Sequence, residues 1–199
     1  MIFIVASIVF AYFIGSISFA VIISKKLGGA DVRTVGSGNA GATNVLRTAG
    51  KKAALWVFLG DFAKGFVAVT VAKALVYFLD APYECIYFAG FFVQLGHCFP
   101  VFFGFRGGKG VATAAGAAMA VMPAVAIILI ALFAVIASIT STASVASCLC
   151  ASVYPLLTCV FTNTKAKFMF SAACSVLIII MHRSNIARLL DGDEKPISR

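Results

Sequence analysis

Residues 111–164 read VATAAGAAMAVMPAVAIILIALFAVIASITSTASVASCLCASVYPLLTCVFTNT, and none of them carries a charge. The whole chain of 199 residues is similar, with 62% hydrophobic and only 12% charged residues. A soluble domain of this size could not bury so many apolar side chains, so the bilayer must be the solvent for most of them. We therefore predict an all-α fold, a polytopic helical bundle in the membrane, with residues 1–199 forming a single integral membrane domain.

The distribution of charged residues predicts the topology. The first apolar run, residues 2–24, has no basic segment before it and no A-x-A cleavage site, so we expect a retained span. The loop after it is strongly basic, which predicts a cytoplasmic loop and a periplasmic N-terminus. The cations of this loop, set against the single acid Asp31, are Lys25, Lys26, Arg33, Arg47, Lys51 and Lys52. The net charge of +9 therefore indicates cytoplasmic membrane edges and no nucleic-acid partner.

Seven spans are predicted, and three of them lie in the uncharged stretch. At ~20 residues each, that stretch is long for two spans and tight for three. Three spans return the basic C-terminal tail to the cytoplasm, whereas two would leave it outside. The cations of the tail are Arg183, Arg188, Lys195 and Arg199. With this choice Lys165 and Lys167 fall outside. The predicted spans are 2–24, 53–79, 84–103, 110–122, 124–140, 144–162 and 166–182.

The longest polar interval, VGSGNAGATNVLR at 35–47, has the composition of a phosphate site. Glycines allow positive φ and bring main-chain N–H groups close to a ligand, and a helix beginning just beyond adds the positive end of its dipole. Arg47 could then hold the anion with two hydrogen bonds. The alternative is a mobile glycine-rich loop between two helices. The candidate substrate-binding residues are Gly36, Ser37, Gly38, Asn39, Gly41, Thr43 and Asn44.

A second polar cluster, GHCFPVFFGFRGGKG at 96–110, ends the third predicted span. Its glycines free the backbone and its two cations supply charge, so it can form a second anion site. The alternative is a pair of ordinary membrane-edge cations. For the histidine of this cluster, a packing role and a functional role are equally compatible with the sequence. The candidates are His97, Arg106, Gly107, Gly108 and Lys109.

The third polar cluster is HRSNIARLL at 182–190. His182, Asn185 and Arg188 are spaced i, i+3, i+6 and lie near one helical face, where they could hold a hydroxylated, charged head group. The alternative is an interfacial helix that binds lipid phosphate. On the predicted topology all three clusters, together with the turn at 140–144, lie on the cytoplasmic side. The sequence therefore predicts that they form one site.

The remaining polar residues in apolar sequence are predicted to be structural. Asp61 and Lys64, three residues apart in the second span, should neutralise each other and anchor the first loop from below. The six cysteines lack C-x-x-C spacing, and we expect them to act as small buried hydrophobic residues. We predict no disulfide framework, no metal site and no cofactor.

Three motifs, in order along the chain, carry a resemblance to a known family. They are VGSGNAGATNVLR followed by DFAKG (61–65), then GHCFPVFFGFRGGKGVAT (96–113), then HRSNIARLL. In order and spacing they resemble the motifs of the bacterial acylphosphate-dependent glycerol-3-phosphate acyltransferases, over nearly the whole chain. One departure is that ITST (139–142) precedes the serine-containing turn SVAS, where that family commonly has a basic residue.

The resemblance implies a seven-helix protein of the bacterial inner membrane with its active site at the cytoplasmic surface. It also implies transfer of a fatty acyl group from acyl phosphate to the 1-hydroxyl of glycerol 3-phosphate, giving 1-acylglycerol 3-phosphate and inorganic phosphate. Acyl phosphate, glycerol 3-phosphate and membrane lipids are then the partners of a chain that we expect to be a monomer. Carried over by position, the phosphate-binding residues of the first motif are Ser37, Asn39, Thr43, Asn44 and Arg47. Those of the later motifs are Lys109 with its glycines, then Ser144, His182 and Asn185.

The residues themselves agree with this chemistry. Acyl phosphate is already activated, and the sequence offers neither a G-x-S-x-G elbow nor a cysteine paired with histidine. We therefore expect catalysis by proximity and charge stabilisation, with Arg47 and Lys109 holding the phosphates and the developing oxyanion. His182 and Asn185 complete the catalytic group, and Arg188 binds substrate. Either His182 or a phosphate oxygen of the donor takes the proton, and we favour the phosphate oxygen.

A second class of function is a membrane carrier or flippase for an anionic lipid or a phosphate metabolite. The polar groups of such a protein should approach the middle of the bilayer on broken helices. In this sequence only Asp61 and Lys64 lie deep, whereas the anion-binding residues lie at one edge. The distribution of polar residues therefore favours the enzyme.

Overall fold

The computed structural model of the protein describes residues 1–27 and 29–197 and contains nine α-helices and one short 3₁₀ turn, Val101–Phe103, in these residues. The helices are α1 (Ile2–Gly15), α2 (Phe19–Lys26), α3 (Ala42–Leu79), α4 (Glu84–Cys98), α5 (Val111–Val121), α6 (Pro123–Thr140), α7 (Ala143–Phe161), α8 (Lys165–Met181) and α9 (Arg183–Leu190). The predicted all-α fold is confirmed for the described part of the chain. Arg199, one of the tail cations used above, lies outside the described residues.

Each of the seven segments predicted as spans is helical. Five of the described segments are long and apolar enough to cross a membrane, or six if α8 and α9 count as one bent span. The exception is α5, whose 11 residues rise only ~17 Å against ~30 Å of hydrocarbon. This short, alanine-rich helix packs against α3, α4 and α6, and its N-terminus follows directly on the second polar cluster.

Three helical segments differ from their predicted bounds, and one of them is the third predicted span, 84–103, in which α4 ends at Cys98. The first predicted span is broken, because α1 ends at Gly15 and α2 begins only at Phe19. The ammonium of Lys64 donates to the carbonyl oxygen of Ile17 in this break at 2.8 Å, so a main-chain acceptor that has lost its helical partner is satisfied. The second predicted span begins at 53, whereas α3 begins at Ala42, with a kink at Gly50 where φ is 85°.

Paired glycines bring helices into close contact at two crossings. A Cβ atom on Gly15 of α1 or on Gly96 of α4 would overlap main-chain atoms of the other helix. Gly65 of α3 and Gly116 of α5 show the same reciprocal arrangement. Small residues are what allow helices to approach this closely within a membrane. These crossings place the ends of α3, α4 and α5, which carry the first two polar clusters, side by side.

A buried charge network lies beneath the first polar loop. The carboxylate of Asp61 lies 2.9 Å from the ammonium of Lys64, which confirms the predicted pair. The same carboxylate oxygen is 3.3 Å from Nδ1 of His97. All three side chains are buried. Because Lys64 also reaches Ile17, the network joins the break after α1 to α3 and α4.

The cysteines are all free thiols, and four of the six are buried. Among residues 1–27 and 29–197, no three histidine, cysteine or carboxylate side chains are placed to hold a metal ion.

Candidate active site

One large cavity, with a volume of about 720 Å³, lies at the end of the bundle where the polar clusters meet. Polar and charged side chains line one end of it, and alanine, leucine, isoleucine and aromatic side chains line the rest. The predicted site residues in its lining are Gly36, Ser37, Asn39, Gly41, Thr43, Asn44, Arg47, His97, Lys109, Ser144, His182, Asn185 and Arg188. The three clusters and the turn before α7 therefore come together in space.

A smaller polar cavity of about 230 Å³ adjoins the first. The two share Ser37, Asn39, Lys109 and Arg188 and so meet at these side chains. The small cavity adds Gly38 and Gly107 from the predicted set, together with Arg183 and Ser184. Arg106 and Gly108 line neither cavity, and Arg106 is exposed to the surroundings of the protein.

Asn44 holds the first polar loop in shape. Its side-chain oxygen accepts the N–H of Ser37 at 2.9 Å, and its amide nitrogen donates to three main-chain oxygens, those of Val32, Val35 and Asn39. The residue is 1% exposed. These bonds occupy both N–H donors of the Asn44 amide, so the side chain shapes the loop and has no donor left for a phosphate. They also favour a built site over the alternative of a mobile loop.

The anion donors of this loop differ from those expected. Gly36 and Gly38 do adopt positive φ, 63° and 71°. However, the N–H groups of Ser37, Gly38 and Gly41 are bonded within the loop and are not turned to the cavity. In the first turn of α3, the N–H groups of Asn44 and Val45 donate to the carbonyl of Gly41, whereas those of Ala42 and Thr43 have no acceptor within the helix and lie at the positive end of its dipole. Thr43 in this turn lines the large cavity.

Gly107 and Gly108 allow the second cluster to approach His97 closely. The N–H of Gly108 donates to the carbonyl of His97 at 3.1 Å. A Cβ atom on Gly108 would overlap the ring of His97, and one on Gly107 would overlap its carbonyl oxygen. Of the glycines in this cluster, Gly104 and Gly110 have positive φ, 65° and 80°, whereas Gly107 and Gly108 do not. The loop therefore lies flat on the C-terminal end of α4 and presents Lys109 to both cavities.

Arg33, which lies outside the three motifs, connects the first polar loop to the second. Its guanidinium pairs with Asp31 at 2.7 Å and donates to the carbonyl of Phe103, also at 2.7 Å. The hydrogen bond from Arg33 lowers the pKa of Asp31 to about 2, so the pair stays charged at neutral pH. No local pattern distinguishes Arg33 from the other cations of the basic loop, because its partner carbonyl is 70 residues away.

The third cluster lies at a bend of 57° between α8 and α9. His182 sits in the bend and is 3% exposed, with Nδ1 bonded to the carbonyl oxygen of Ile178 at 2.8 Å. This bond makes Nδ1 the donor and leaves Nε2 as an acceptor. The side-chain oxygen of Asn185 accepts a hydrogen bond from the ammonium of Lys109, so the second and third clusters are joined directly.

Glu194 is the most important residue that sequence reasoning missed. Its carboxylate accepts the hydroxyl of Ser144 at 2.8 Å, the Nε–H of Arg188 at 2.7 Å and the amide of Asn185. Burial raises the pKa of Glu194, but these three hydrogen bonds outweigh burial and hold the pKa below its usual value. Three acids follow the amphipathic helix, Asp191, Asp193 and Glu194, and no local pattern distinguishes Glu194 from the other two.

The tail that carries Glu194 folds back over the polar end of the large cavity. Arg47 donates to the carbonyl oxygens of Pro196, at 2.7 and 3.0 Å, and Lys195, at 3.0 Å. The N–H of Ile197 donates to the carbonyl oxygen of Ser141 at 2.8 Å, and this bond holds the tail against the turn between α6 and α7.

The polar end is electropositive. The cations in the cavity lining are Arg47, Lys109, Arg188 and Lys195, against the carboxylates of Glu194 and Asp61, and Asp61 is already paired with Lys64. Burial lowers the pKa of Lys109 to about 8, with the Glu194 carboxylate opposing and the Arg188 guanidinium adding to the effect. A partly buried group of cations with an excess of positive charge is suited to an anion, and above all to a phosphate.

Comparison with known proteins identifies a family whose members resemble this chain over nearly its whole length. The family described as glycerol-3-phosphate acyltransferase covers residues 5–192. The chain belongs to the glycerol-3-phosphate acyltransferase family. It is 42% identical to the glycerol-3-phosphate acyltransferase of Neisseria gonorrhoeae (strain NCCP11945), over 97% of this chain and 96% of that protein. Against the enzyme of the same name from Coxiella burnetii (strain Dugway 5J108-111) the identity is 43%, over 97% of both chains.

Two solved structures of the family show the same fold. Both are crystal structures of PlsY (YgiH), an integral membrane glycerol 3-phosphate acyltransferase. The glycerol 3-phosphate form has a TM-score of 0.89 at 40% identity, and the lysophosphatidic acid form has 0.87 at 39%. Each comparison covers 97% of this chain and 94% of the other. Together with the apolar helices, this makes the protein a multi-pass membrane protein of the acyltransferase family, and the predicted resemblance is confirmed.

Proposed function

We propose that the protein transfers an acyl group from acyl phosphate to the 1-hydroxyl of glycerol 3-phosphate, producing 1-acylglycerol 3-phosphate and inorganic phosphate. The observation that carries the proposal is a single cavity that is cationic at one end and apolar along the rest. Such a cavity fits a donor with a phosphate head and a fatty chain. Members of the family are named for the acceptor, glycerol 3-phosphate.

The two adjoining cavities fit two phosphorylated substrates. Lys109 and Arg188 line both and can contact a phosphate on either side. The small polar cavity suits glycerol 3-phosphate, which has no apolar part. The large one suits acyl phosphate, because its apolar length accepts the chain. In this arrangement the acyl carbon and the glycerol hydroxyl meet beside Lys109. The entropy lost in bringing the two reactants together is then offset by the free energy of substrate binding.

The proposed reaction is a direct displacement. The 1-hydroxyl oxygen of glycerol 3-phosphate attacks the acyl carbonyl carbon, the bond from that carbon to the phosphate oxygen breaks, and phosphate leaves with the hydroxyl proton. Arg47 and Lys109 stabilise the charge on the carbonyl oxygen and on the departing phosphate. Nε2 of His182 accepts a hydrogen bond from the hydroxyl and orients it. No covalent acyl-enzyme is required.

The role of His182 can be separated from that of the phosphate by a pH profile. If the donor phosphate takes the proton, His182→Asn should lower kcat but leave the shape of the pH profile unchanged. If the imidazole is the base, the acid limb of the kcat/KM profile should disappear in the variant.

We further propose a monomer with seven spans in the bacterial inner membrane, with the site on the cytoplasmic side. The support is the excess of cations in the loops around the site. A cysteine substituted for Arg106, which is exposed beside the site, should resist a membrane-impermeant thiol reagent in intact cells. One substituted for Tyr83, exposed in the turn before α4, should be labelled. The reverse pattern would refute the orientation.

The deciding experiment is acyl transfer by purified protein in detergent, with a long-chain acyl phosphate and glycerol 3-phosphate. Release of phosphate that depends on glycerol 3-phosphate, together with formation of the acylated product, is the expected result. Lys109→Ala should lower kcat/KM about 100-fold or more, whereas Lys73→Ala, at an exposed lysine of α3, should not. A carrier needs a compartment, so absence of turnover in detergent with binding retained would favour transport.

A further inference from the structure

The apolar end of the large cavity is a channel whose walls are built from small side chains. Alanines of three helices line it, Ala114 and Ala118 from α5, Ala126 from α6 and Ala151 from α7. Larger side chains at these positions would fill the space. The channel therefore exists because each of the facing helices has a small residue where it meets the others.

One face of α7 follows the channel along its whole length. Ser144, Ser147, Ala151 and Tyr154 line it at spacings of i, i+3, i+7 and i+10, so they form one continuous stripe. The stripe begins at the polar end, where Ser144 is bonded to Glu194. Tyr154 is the last residue of α7 in the lining.

Tyr154 closes the far end. Its side chain is buried, and its ring packs edge-on against Phe170 at 6.5 Å between centroids. Met122 and Val125, both buried, belong to the same packed core. The hydroxyl of Tyr154 is itself buried and has no hydrogen-bond partner among residues 1–27 and 29–197. The aromatic ring of Tyr154, and not its hydroxyl, therefore contacts the channel.

We propose that the ring of Tyr154, with Ala118 and Ala126 around it, sets the longest acyl chain that the enzyme uses efficiently. This inference rests on the proposed function, because it concerns the donor of that reaction. Ten residues of helix from Ser144 to Tyr154 rise about 15 Å, a length that an extended chain covers in roughly a dozen covalent bonds. A longer chain must fold back, or leave sideways past the exposed rim at Leu55 and Ile130.

The test is a competition between saturated acyl phosphates of about 10 to 18 carbons, read out as relative kcat/KM by mass spectrometry of the products. Tyr154→Ala should move the preference to longer chains. Ala126→Leu should move it to shorter ones, because leucine fills the channel before its end. Since each methylene buried or excluded changes binding roughly fourfold, the ratio of the longest to the shortest donor should change at least about tenfold in each direction.

Two control variants separate the effect of channel shape from the loss of the Tyr154 hydroxyl and from added bulk elsewhere on α6. Tyr154→Phe keeps the ring and removes only the hydroxyl, so chain preference should stay as in the wild type. Ala131→Leu adds the same bulk on a face of α6 that is exposed to lipid, and it should also leave the preference unchanged. If Tyr154→Ala does not fold, the shift produced by Ala126→Leu still decides the question.

An active wild type whose chain preference does not respond to Ala126→Leu or Tyr154→Ala would overturn this inference and leave the proposed function intact. A shift in Ala131→Leu equal to that in Ala126→Leu would also overturn it, since the effect would not come from the channel. A folded wild type that uses no acyl phosphate at all would overturn the proposed function, and this inference with it.

Discussion

The ionisation of Lys109 should limit activity at alkaline pH. Burial lowers its pKa to about 8, and the proposed mechanism requires the charged ammonium to hold phosphate. Activity is therefore present below pH 8 and lost as pH rises through it. Between pH 7 and pH 9 the charged fraction falls about tenfold, and kcat/KM should fall with it. The second ionisation of a phosphomonoester, near 6, is complete in this range and does not contribute.

Lys109→Arg tests this expectation, because a guanidinium stays protonated throughout the range from pH 7 to pH 9. The variant should have a lower kcat/KM, since the longer, planar group cannot reproduce the contact with Asn185, but its profile should be flat from pH 7 to 9. In the wild type, kcat should decline at higher pH than kcat/KM, because bound phosphate raises the pKa of the ammonium.

The assay is initial-rate phosphate release over this pH range in detergent, corrected for spontaneous hydrolysis of the donor, with a thermal melt at each pH to show that the protein stays folded. A wild-type kcat/KM that is constant from pH 7 to 9 would refute the reasoning. So would an arginine variant with the same alkaline limb as the wild type, because the titrating group would then lie elsewhere.

Two further perturbations test how the site and the bundle are held together. Glu194→Gln removes a carboxylate that accepts three hydrogen bonds. Since a charged hydrogen bond contributes about 1.5–3 kcal/mol, kcat/KM should fall roughly 10- to 100-fold. The control Asp193→Asn, at an exposed residue, should leave kcat/KM unchanged, and equal values for the two variants would contradict the role assigned to Glu194. Gly65→Ala forces a methyl against the main chain of α5 and should destabilise the fold by about 1–3 kcal/mol, seen as a lower melting temperature in detergent. Gly60→Ala, whose methyl would meet the ring of Phe19 and not the main chain of a neighbouring helix, should be milder, and an equal loss of stability in both variants would count against the close crossing.

Local pattern was sufficient for the helices and for the grouping of the polar clusters. Hydrophobicity is a property of a continuous segment, so each of the seven segments expected to be helical is helical, and the last four agree with their predicted bounds to within one residue. The ion pair of Asp61 and Lys64 was also predictable, because residues three apart on a helix are neighbours. The meeting of the polar clusters followed from charge asymmetry between loops, which needs no knowledge of packing.

Features that depend on distant contacts could not be read from the sequence. Nothing local distinguishes Gly65 from other glycines in apolar sequence, because its role depends on a backbone some 50 residues away. The sequence predicts that Gly107 and Gly108 belong to an anion site, and it does not indicate that both glycines also allow the loop to approach His97 closely. Glu194 lies 50 residues from Ser144, and its role depends on a tail that folds back over the site.

Arg47 and Arg188 differ in what holds them, and the difference assigns them different tasks. Arg188 donates to the Glu194 carboxylate, a charged acceptor as strong as a phosphate oxygen, so a ligand gains little by displacing that contact. Arg47 donates only to the neutral carbonyls of Lys195 and Pro196, and a phosphate is a stronger acceptor than either. Turning Arg47 toward a substrate phosphate therefore replaces weaker hydrogen bonds by stronger ones, whereas Arg188 stays with Glu194 and keeps Asn185 and Ser144 in place. We therefore propose that Arg47 is the cation that moves to the substrate, while the Glu194 carboxylate holds Arg188, Asn185 and Ser144 in place.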